Sequence, residues 1–217
     1  MAKKKQPFRS ALRFDFLTAH YDSILDWTMR DIRFKTELVR RADIQAGHRV
    51  LDFGCGTGTL SRLVKKTHPQ ATVLGLDVDP AILRQAREKG DQANLAIDWL
   101  EGTIEDHRDR LGNIDRIVSS LVFHHLLDDE KRIISSQMRS LLAPAGEVHL
   151  CDFTAPANQL QAALFLSVRL LDGWDRTSAN ARGRLAEIFR ESGFEFAQTE
   201  SPQSTWAGTI AFTVARI

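Results

Sequence analysis

The chain has 217 residues, enough for one large domain with a substantial core and too few for two comfortable ones. A hydrophobic fraction of 43%, a charged fraction of 26% and a formal net charge of +1 describe an ordinary globular protein without the global field that gathers nucleic acid. Two cysteines, Cys55 and Cys151, are too few for a disulfide framework and give no paired spacing for zinc, which fits a reducing, cytoplasmic setting.

The first residues are basic (Lys3, Lys4, Lys5, Arg9) but lead into no apolar stretch with a small-residue cleavage site, so they read as a frayed tail and not a secretory signal. Leu25, Met29, Ile32 and Val39 then fall at helical spacing among Phe8, Phe14, Phe16, Tyr21 and Trp27, which predicts a helical cap over a sheet edge in residues 1–45.

From Arg49 onward, β-rich runs alternate with amphipathic ones, the pattern of a mostly parallel α/β sheet covered by helices on both faces. Strands are predicted at 49–53, 72–77, 96–100, 114–119, 146–153, 194–199 and 209–216, seven in one doubly wound sheet. Asp79 before Pro80 is an N-cap with proline at the first helical position, and Lys89-Gly90 is expected to close that helix. Asp128, Asp129 and Glu130 open a further helix that shows Ile134, Met138 and Leu141 on one face before Pro144 and Gly146. In an insertion at 155–180, Leu160, Leu164, Val168 and Leu171 oppose Phe165, Leu166 and Leu170. A helix apolar nearly all round is expected to bury both sides, under the N-terminal cap or along a pocket for an apolar ligand. It is too short to span a bilayer and is interrupted by Arg169, so no membrane insertion is expected. Leu185, Ile188 and Phe189 mark a last helix stopped by Gly193, and residues 201–208 are expected to connect the last two strands.

The central signal is Val50-Leu51-Asp52-Phe53-Gly54-Cys55-Gly56-Thr57-Gly58-Thr59-Leu60, a strand running through three alternating glycines into a helix. Glycine is needed where a strand must turn sharply and let a ligand touch its backbone. The helix start then offers N–H groups to an anionic group. Gly-x-Gly-x-x-Gly is not satisfied, because its last position is Thr59 counted from Gly54 and Ser61 counted from Gly56, so a pyrophosphate is disfavoured. No Gly-Lys-Ser/Thr ending serves a triphosphate either. What remains is a nucleoside with a small charged tail. Asp77, at the end of the second strand and roughly 20 residues past the glycines, can accept both ribose hydroxyls.

With these motifs the chain resembles the class I S-adenosylmethionine (SAM)-dependent methyltransferases, in particular the branch similar to ubiquinone and menaquinone biosynthesis methyltransferases. The likeness extends from Phe16 to the end. It is carried by 50–60, by Gly75 to Pro80, by Ile-Asp-Arg-Ile-Val-Ser-Ser-Leu-Val-Phe-His-His-Leu at 114–126, by Leu-Ala-Pro-Ala-Gly at 142–146, and by Tyr21-Asp22. The resemblance implies a Rossmann-like sheet in the order 3-2-1-4-5-7-6 with the last strand antiparallel. It also implies one domain over 1–217, divided into the cap, a SAM-binding core at 46–154, the insertion, and a C-terminal helix and strands at 181–217.

The resemblance further implies that the turn 54–58 wraps the methionine part of SAM, through Gly54, Cys55, Gly56 and Gly58, with Asp52 ordering it from below and Thr57 near the carboxylate. Asp77 would hold the ribose, Val78, Thr103 and Ile104 would border the adenine, and Ser120 and Leu121 would meet the methionine end. Thr103 stands where many relatives have Asp or Asn, and Ala145 replaces a usual glycine. His124 and His125, just past the fourth strand, are the candidates for a general base, because histidine titrates near neutrality. Packing or capping of the next helix is the plainer role for one of them. Tyr21, His20, His124 and Trp174 are candidates for lining the acceptor, with packing as their alternative. Arg30 and Arg33 read as solvated helix positions, or as contacts to the SAM carboxylate.

The expected activity is methyl transfer from SAM to a small, partly apolar acceptor, with S-adenosyl-L-homocysteine (SAH) as product and no metal. Neither nucleic acid nor stable membrane insertion is expected, and a homodimer stays open. The alternatives are a non-catalytic SAM-binding protein, a nicotinamide oxidoreductase, or a methyltransferase of peptides or lipid headgroups.

Overall fold

The structure is a computed structural model that describes residues 30–217, with side chains from Ile32. The aromatic positions 8 to 27, with Tyr21 and His20, lie outside the described residues, as do the side chain of Arg30 and the expected cap contacts of Leu25 and Met29.

Seven strands form one sheet: β1 (Arg49–Phe53), β2 (Thr72–Asp77), β3 (Asp98–Glu101), β4 (Ile114–Ser120), β5 (Leu142–Phe153), β6 (Phe196–Thr205) and β7 (Gly208–Arg216). Their order is 3-2-1-4-5-7-6. The first five run parallel, and β7 is antiparallel to both β5 and β6. The expected α/β fold and strand order are therefore observed. Around the sheet stand α1 (Arg30–Arg41), α2 (Thr59–Thr67), α3 (Pro80–Gln92), α4 (Asp128–Leu141), α5 (Gln159–Asp172), α6 (Trp174–Ala181) and α7 (Leu185–Glu191).

Strict alternation within the central strands divides the core in two. Val50, Val73 and Val118 join Leu38, Leu60 and Phe165 on one face, while Leu51, Leu74 and Ile117 join Met138, Phe189 and Phe123 on the other. Neighbouring residues on a strand point to opposite faces, so a strand covered on both sides must be apolar at consecutive positions. Each fully buried aliphatic or aromatic side chain contributes ~1.5–3 kcal/mol.

Several expected boundaries move. Gly90 does not stop α3, which continues to Gln92. A Cβ at Gly90 would stand 3.3 Å from the Trp99 ring, so this glycine makes room for an indole. β5 begins at Leu142 directly after α4, and Pro144 and Gly146 fall in an irregular stretch where its register against β4 shifts between Leu142 and Glu147. Residues 201–205 belong to β6, and only Trp206 and Ala207 separate it from β7. On α1, Phe34, Leu38 and Val39 are buried while Ile32 faces solvent. The insertion does not bury both sides: α5 buries Phe165 and Gln161, whereas Leu160, Leu166, Leu170 and Leu171 are exposed. Gly173, at φ +95°, then turns the chain into α6. No helix among the described residues is long and apolar enough to cross a membrane.

Candidate functional site at the carboxyl ends of the strands

Parallel strands alternating with helices deliver their carboxyl ends to one edge, and here the acids Asp52, Asp77 and Asp152 lie at the ends of β1, β2 and β5. Between β1 and α2, Gly54, Gly56 and Gly58 adopt φ of +68°, +53° and +75°. Gly58 is the N-cap residue of α2, with no side-chain cap on that helix start. A Cβ on Gly58 would sit 2.4 Å from Trp99, and one on Gly54 would sit 2.5 Å from Val122. The turn therefore lies pressed between an indole below and the loop after β4.

The turn is tied to β2 by three bonds: Gly54 N and Cys55 N donate to Leu76 O, and Gly56 N donates to Asp77 Oδ2 at 2.8 Å. Asp77 Oδ1 accepts from Asp79 N at 3.0 Å. The Val78 amide donates to the same carboxylate, so three backbone amides share its four lone pairs. Burial pushes the Asp77 carboxyl up, against the amides that hold it ionised. Thr57 is half-buried at the crest of the turn, and Val78 is partly exposed just beyond Asp77.

Four of the implied residues have side chains engaged within the protein. Asp52 is buried and accepts from Ser61 Oγ at 2.5 Å, so it fastens the first turn of α2 and not the glycines themselves. Burial raises its carboxyl to about 6. The Cys55 thiol packs against Leu83, Ala86 and Trp99, its amide is spent on Leu76, and its carbonyl accepts from Gly58 N. Burial pushes that thiol well up, so Cys55 is an inert core group. Ile104 is buried in the core with Leu76 and Leu100, and the Thr103 hydroxyl donates to Asp106 Oδ2 at 2.7 Å, so neither side chain offers a free polar group to an adenine.

Across the edge, Ser120 ends β4 with its Oγ buried and without a protein partner. Leu121 follows at φ +57°, a left-handed backbone that costs a non-glycine residue ~1–3 kcal/mol and clusters at functional sites. Asp152 holds this strained segment. It is 2% exposed and accepts from Val122 N, Phe123 N, Phe153 N, Asn180 Nδ2 and, at 2.8 Å, His124 Nδ1. Burial raises the Asp152 carboxyl, and His124 with the amides outweighs this, leaving it below its ordinary value. His124 is buried and meets Phe153 edge-on, while His125 is half-buried. Asp172, the last residue of α5, stands 3.2 Å from His125 Nδ1 and 3.6 Å from His124 Nε2.

The sequence reading missed Asp152 and Asp172. The available signal for the first was an acid ending an apolar strand, as in β1 and β2; for the second there was none short of the fold. Trp174 starts α6 two residues past Asp172, half exposed, with the Arg169 guanidinium 4.0 Å over its ring. Arg33 is solvent-exposed, and Tyr21 lies outside the described residues.

A family profile described as a methyltransferase domain matches residues 50–146, the stretch that contains the glycine turn, Asp77 and both histidines. That stretch, a little under half of the chain, is similar to the methyltransferase domain family. It is 30% identical over 126 residues to a demethylmenaquinone methyltransferase of Thermus thermophilus, a match covering 58% of this chain and 56% of that one. The chain thus spans little more than half the length of that relative. Among solved structures, a TehB-like SAM-dependent methyltransferase of Corynebacterium glutamicum superposes with a TM-score of 0.63 at 19% identity, over 92% of this chain and 97% of that one. A phosphoethanolamine N-methyltransferase of Haemonchus contortus, solved in complex with SAM, gives 0.65 at 15% identity, over 84% of this methyltransferase-fold chain and 51% of that one. At these identities the solved structures show the shared fold.

Proposed function

We propose that this chain transfers a methyl group from SAM to a small, partly apolar acceptor. The observation that carries the reading is the coupling of three positive-φ glycines to Asp77 on one side of the strand edge, opposite the segment 120–125 held by Asp152. The donor fits: a Cβ on Gly56 would meet nothing within 4 Å, so the crest of the turn is open to a ligand, Asp77 stands beside it at the strand edge, and the buried Ser120 Oγ has no protein partner. When bound, SAM supplies a methyl on a sulfonium, an already activated leaving group. The residues of the chain therefore have to place an acceptor in line, and positioning alone can lower a barrier by up to ~7–11 kcal/mol.

Gly54, Gly56, Thr57 and Gly58 hold the methionine part, Asp77 the ribose, Val78 the flank of the adenine, and Ser120 and Leu121 the far end. His124 and His125 bring basic nitrogens to the acceptor side, where Tyr21 and Trp174 are the aromatic candidates. Exposed Leu166, Leu170 and Trp174 support an apolar portion in the acceptor, and the likeness to a demethylmenaquinone methyltransferase supports a ring with an apolar tail.

Incubation of the purified chain with methyl-labelled SAM and acceptor panels graded in polarity tests this. Labelled product with apolar or aromatic acceptors, and stoichiometric SAH, is expected. Labelling confined to highly polar acceptors overturns the acceptor class, and no transfer to any panel member favours a SAM-binding protein without turnover.

A further inference from the structure

His124, His125 and Asp172 each present one ligand atom, and these atoms all lie within 4.8 Å of one another. The Asp172 carboxylate stands with Oδ1 3.2 Å from His125 Nδ1 and Oδ2 3.6 Å from His124 Nε2. A tetrahedral first-row cation with ligands at roughly 2.0–2.2 Å spaces them by roughly 3.3–3.6 Å, a separation that small side-chain adjustments reach from here.

The second, independent observation is the Asp152 bond to His124. The Asp152 carboxylate engages His124 Nδ1 and so fixes the ring with its other nitrogen, Nε2, facing Asp172. Phe153 packs edge-on against the same ring. Metal-binding histidines characteristically donate their second ring nitrogen to a carboxylate in this way, which orients the ring and strengthens the ligand. Two acids, Asp152 and Asp172, bring negative charge to the cluster. Two cations on neighbouring elements are engaged by carbonyls: Lys131 Nζ donates to Leu126 O and Arg176 O, and Arg176 donates to His125 O.

We propose that His124 Nε2, His125 Nδ1 and the Asp172 carboxylate bind a divalent first-row transition cation, with Asp152 as the partner that orients His124. This replaces the expectation of no metal. Two imidazoles and one carboxylate suit zinc-like ions, whereas magnesium wants an oxygen shell. Three protein ligands leave a coordination position open for an oxygen donor such as a phenol or enol, whose proton a bound cation makes easier to remove. Cation binding stands apart from the methyl donor; its use on the acceptor rests on the methyl-transfer reading.

The test is calorimetric titration of chelator-treated protein with Zn²⁺ in the absence of SAM, with magnesium in parallel. One zinc equivalent binds, magnesium gives no comparable heat, and Asp172→Asn and His125→Gln each weaken zinc by roughly tenfold or more while leaving SAH binding intact. No zinc binding, or binding that neither variant changes, overturns the proposal and leaves the methyl-donor reading standing. If circular dichroism shows a variant unfolded, the unaltered chain decides: one equivalent of Co²⁺ broadens amide resonances around His124, His125 and Asp172. Broadening centred elsewhere, or none, overturns it.

Discussion

The amide of Gly56 donates to the carboxylate of Asp77 at 2.8 Å, so the glycine turn and the acid proposed to hold the ribose are one mechanical unit. Loss of the acid removes a ligand contact and also loosens the turn. Hydrogen bonds to charged groups are worth ~1.5–3 kcal/mol each. Asp77→Ala is expected to weaken SAH at least ~100-fold. Asp77→Asn, which retains one acceptor oxygen, is expected to fall roughly tenfold short of the unaltered chain. Quenching of tryptophan fluorescence reads both, since Trp99 lies directly under the turn.

Trp99 also sets the cost of changing the turn. Gly58→Ala brings a Cβ within 2.4 Å of the indole at a φ of +75°. The expected loss is about 2–4 kcal/mol, the sum of overpacking and left-handed strain. Adding Trp99→Leu relieves the collision and leaves the strain, so the double variant recovers part of the loss relative to Trp99→Leu alone. Urea denaturation of the four proteins gives this coupling, and simple additivity contradicts the contact.

Asp52 makes stability depend on pH in an unusual direction. Burial raises its carboxyl to about 6, against the Ser61 bonds and the Lys35 charge and with the Asp77 charge. The folded state thus retains a proton that the unfolded chain releases near pH ~4. The Asp52 contribution is full below ~4 and is lost as pH rises through about 6. Asp52→Asn keeps an acceptor for Ser61 and removes the buried charge. Its stability relative to the unaltered chain is expected to grow by up to ~3 kcal/mol between pH ~4 and ~7.5. Thermal melts across this range check it, and a margin that shrinks with pH runs against it.

Asp152 gathers donors from three places: the loop after β4, its own strand and Asn180 of α6. Asp152→Ala strands them in the interior and is expected to cost ~3–5 kcal/mol. Asn180→Ala, which removes one donor and leaves four, is expected to cost ~1–2 kcal/mol. Chemical denaturation midpoints rank the two.

The bounds of β1 and β2 were legible to the residue, because both are covered on two faces, β1 runs into the glycine turn and β2 ends on Asp77 ahead of the Asp79-Pro80 helix start. The extent of β6 was not. Residues 201–208 read as a connection, yet β6 is an edge strand that runs on to Thr205, with Pro202 at a register shift beside Ser201 at φ +53°. Proline is tolerated there because no neighbouring strand needs its missing N–H. Lys131 follows three acids and reads as a solvated helix position, but it is fully buried, with its ammonium bound to carbonyls of Leu126 and Arg176. The glycines and Asp77 carry local signatures, so the donor half of the site was readable. The proposed acceptor side brings together His124, Asp152, Asp172 and Asn180, whose pairing follows from tertiary structure and from no local spacing.

The most direct measurement is calorimetric titration of the unaltered chain with SAH, beside an identical titration with NADH. A saturable heat at one equivalent with SAH and none with NADH is the predicted result. No association with SAH, or equal association with NADH, contradicts the central claim that positions 54–58 and Asp77 hold an adenosyl ligand with an amino-acid tail.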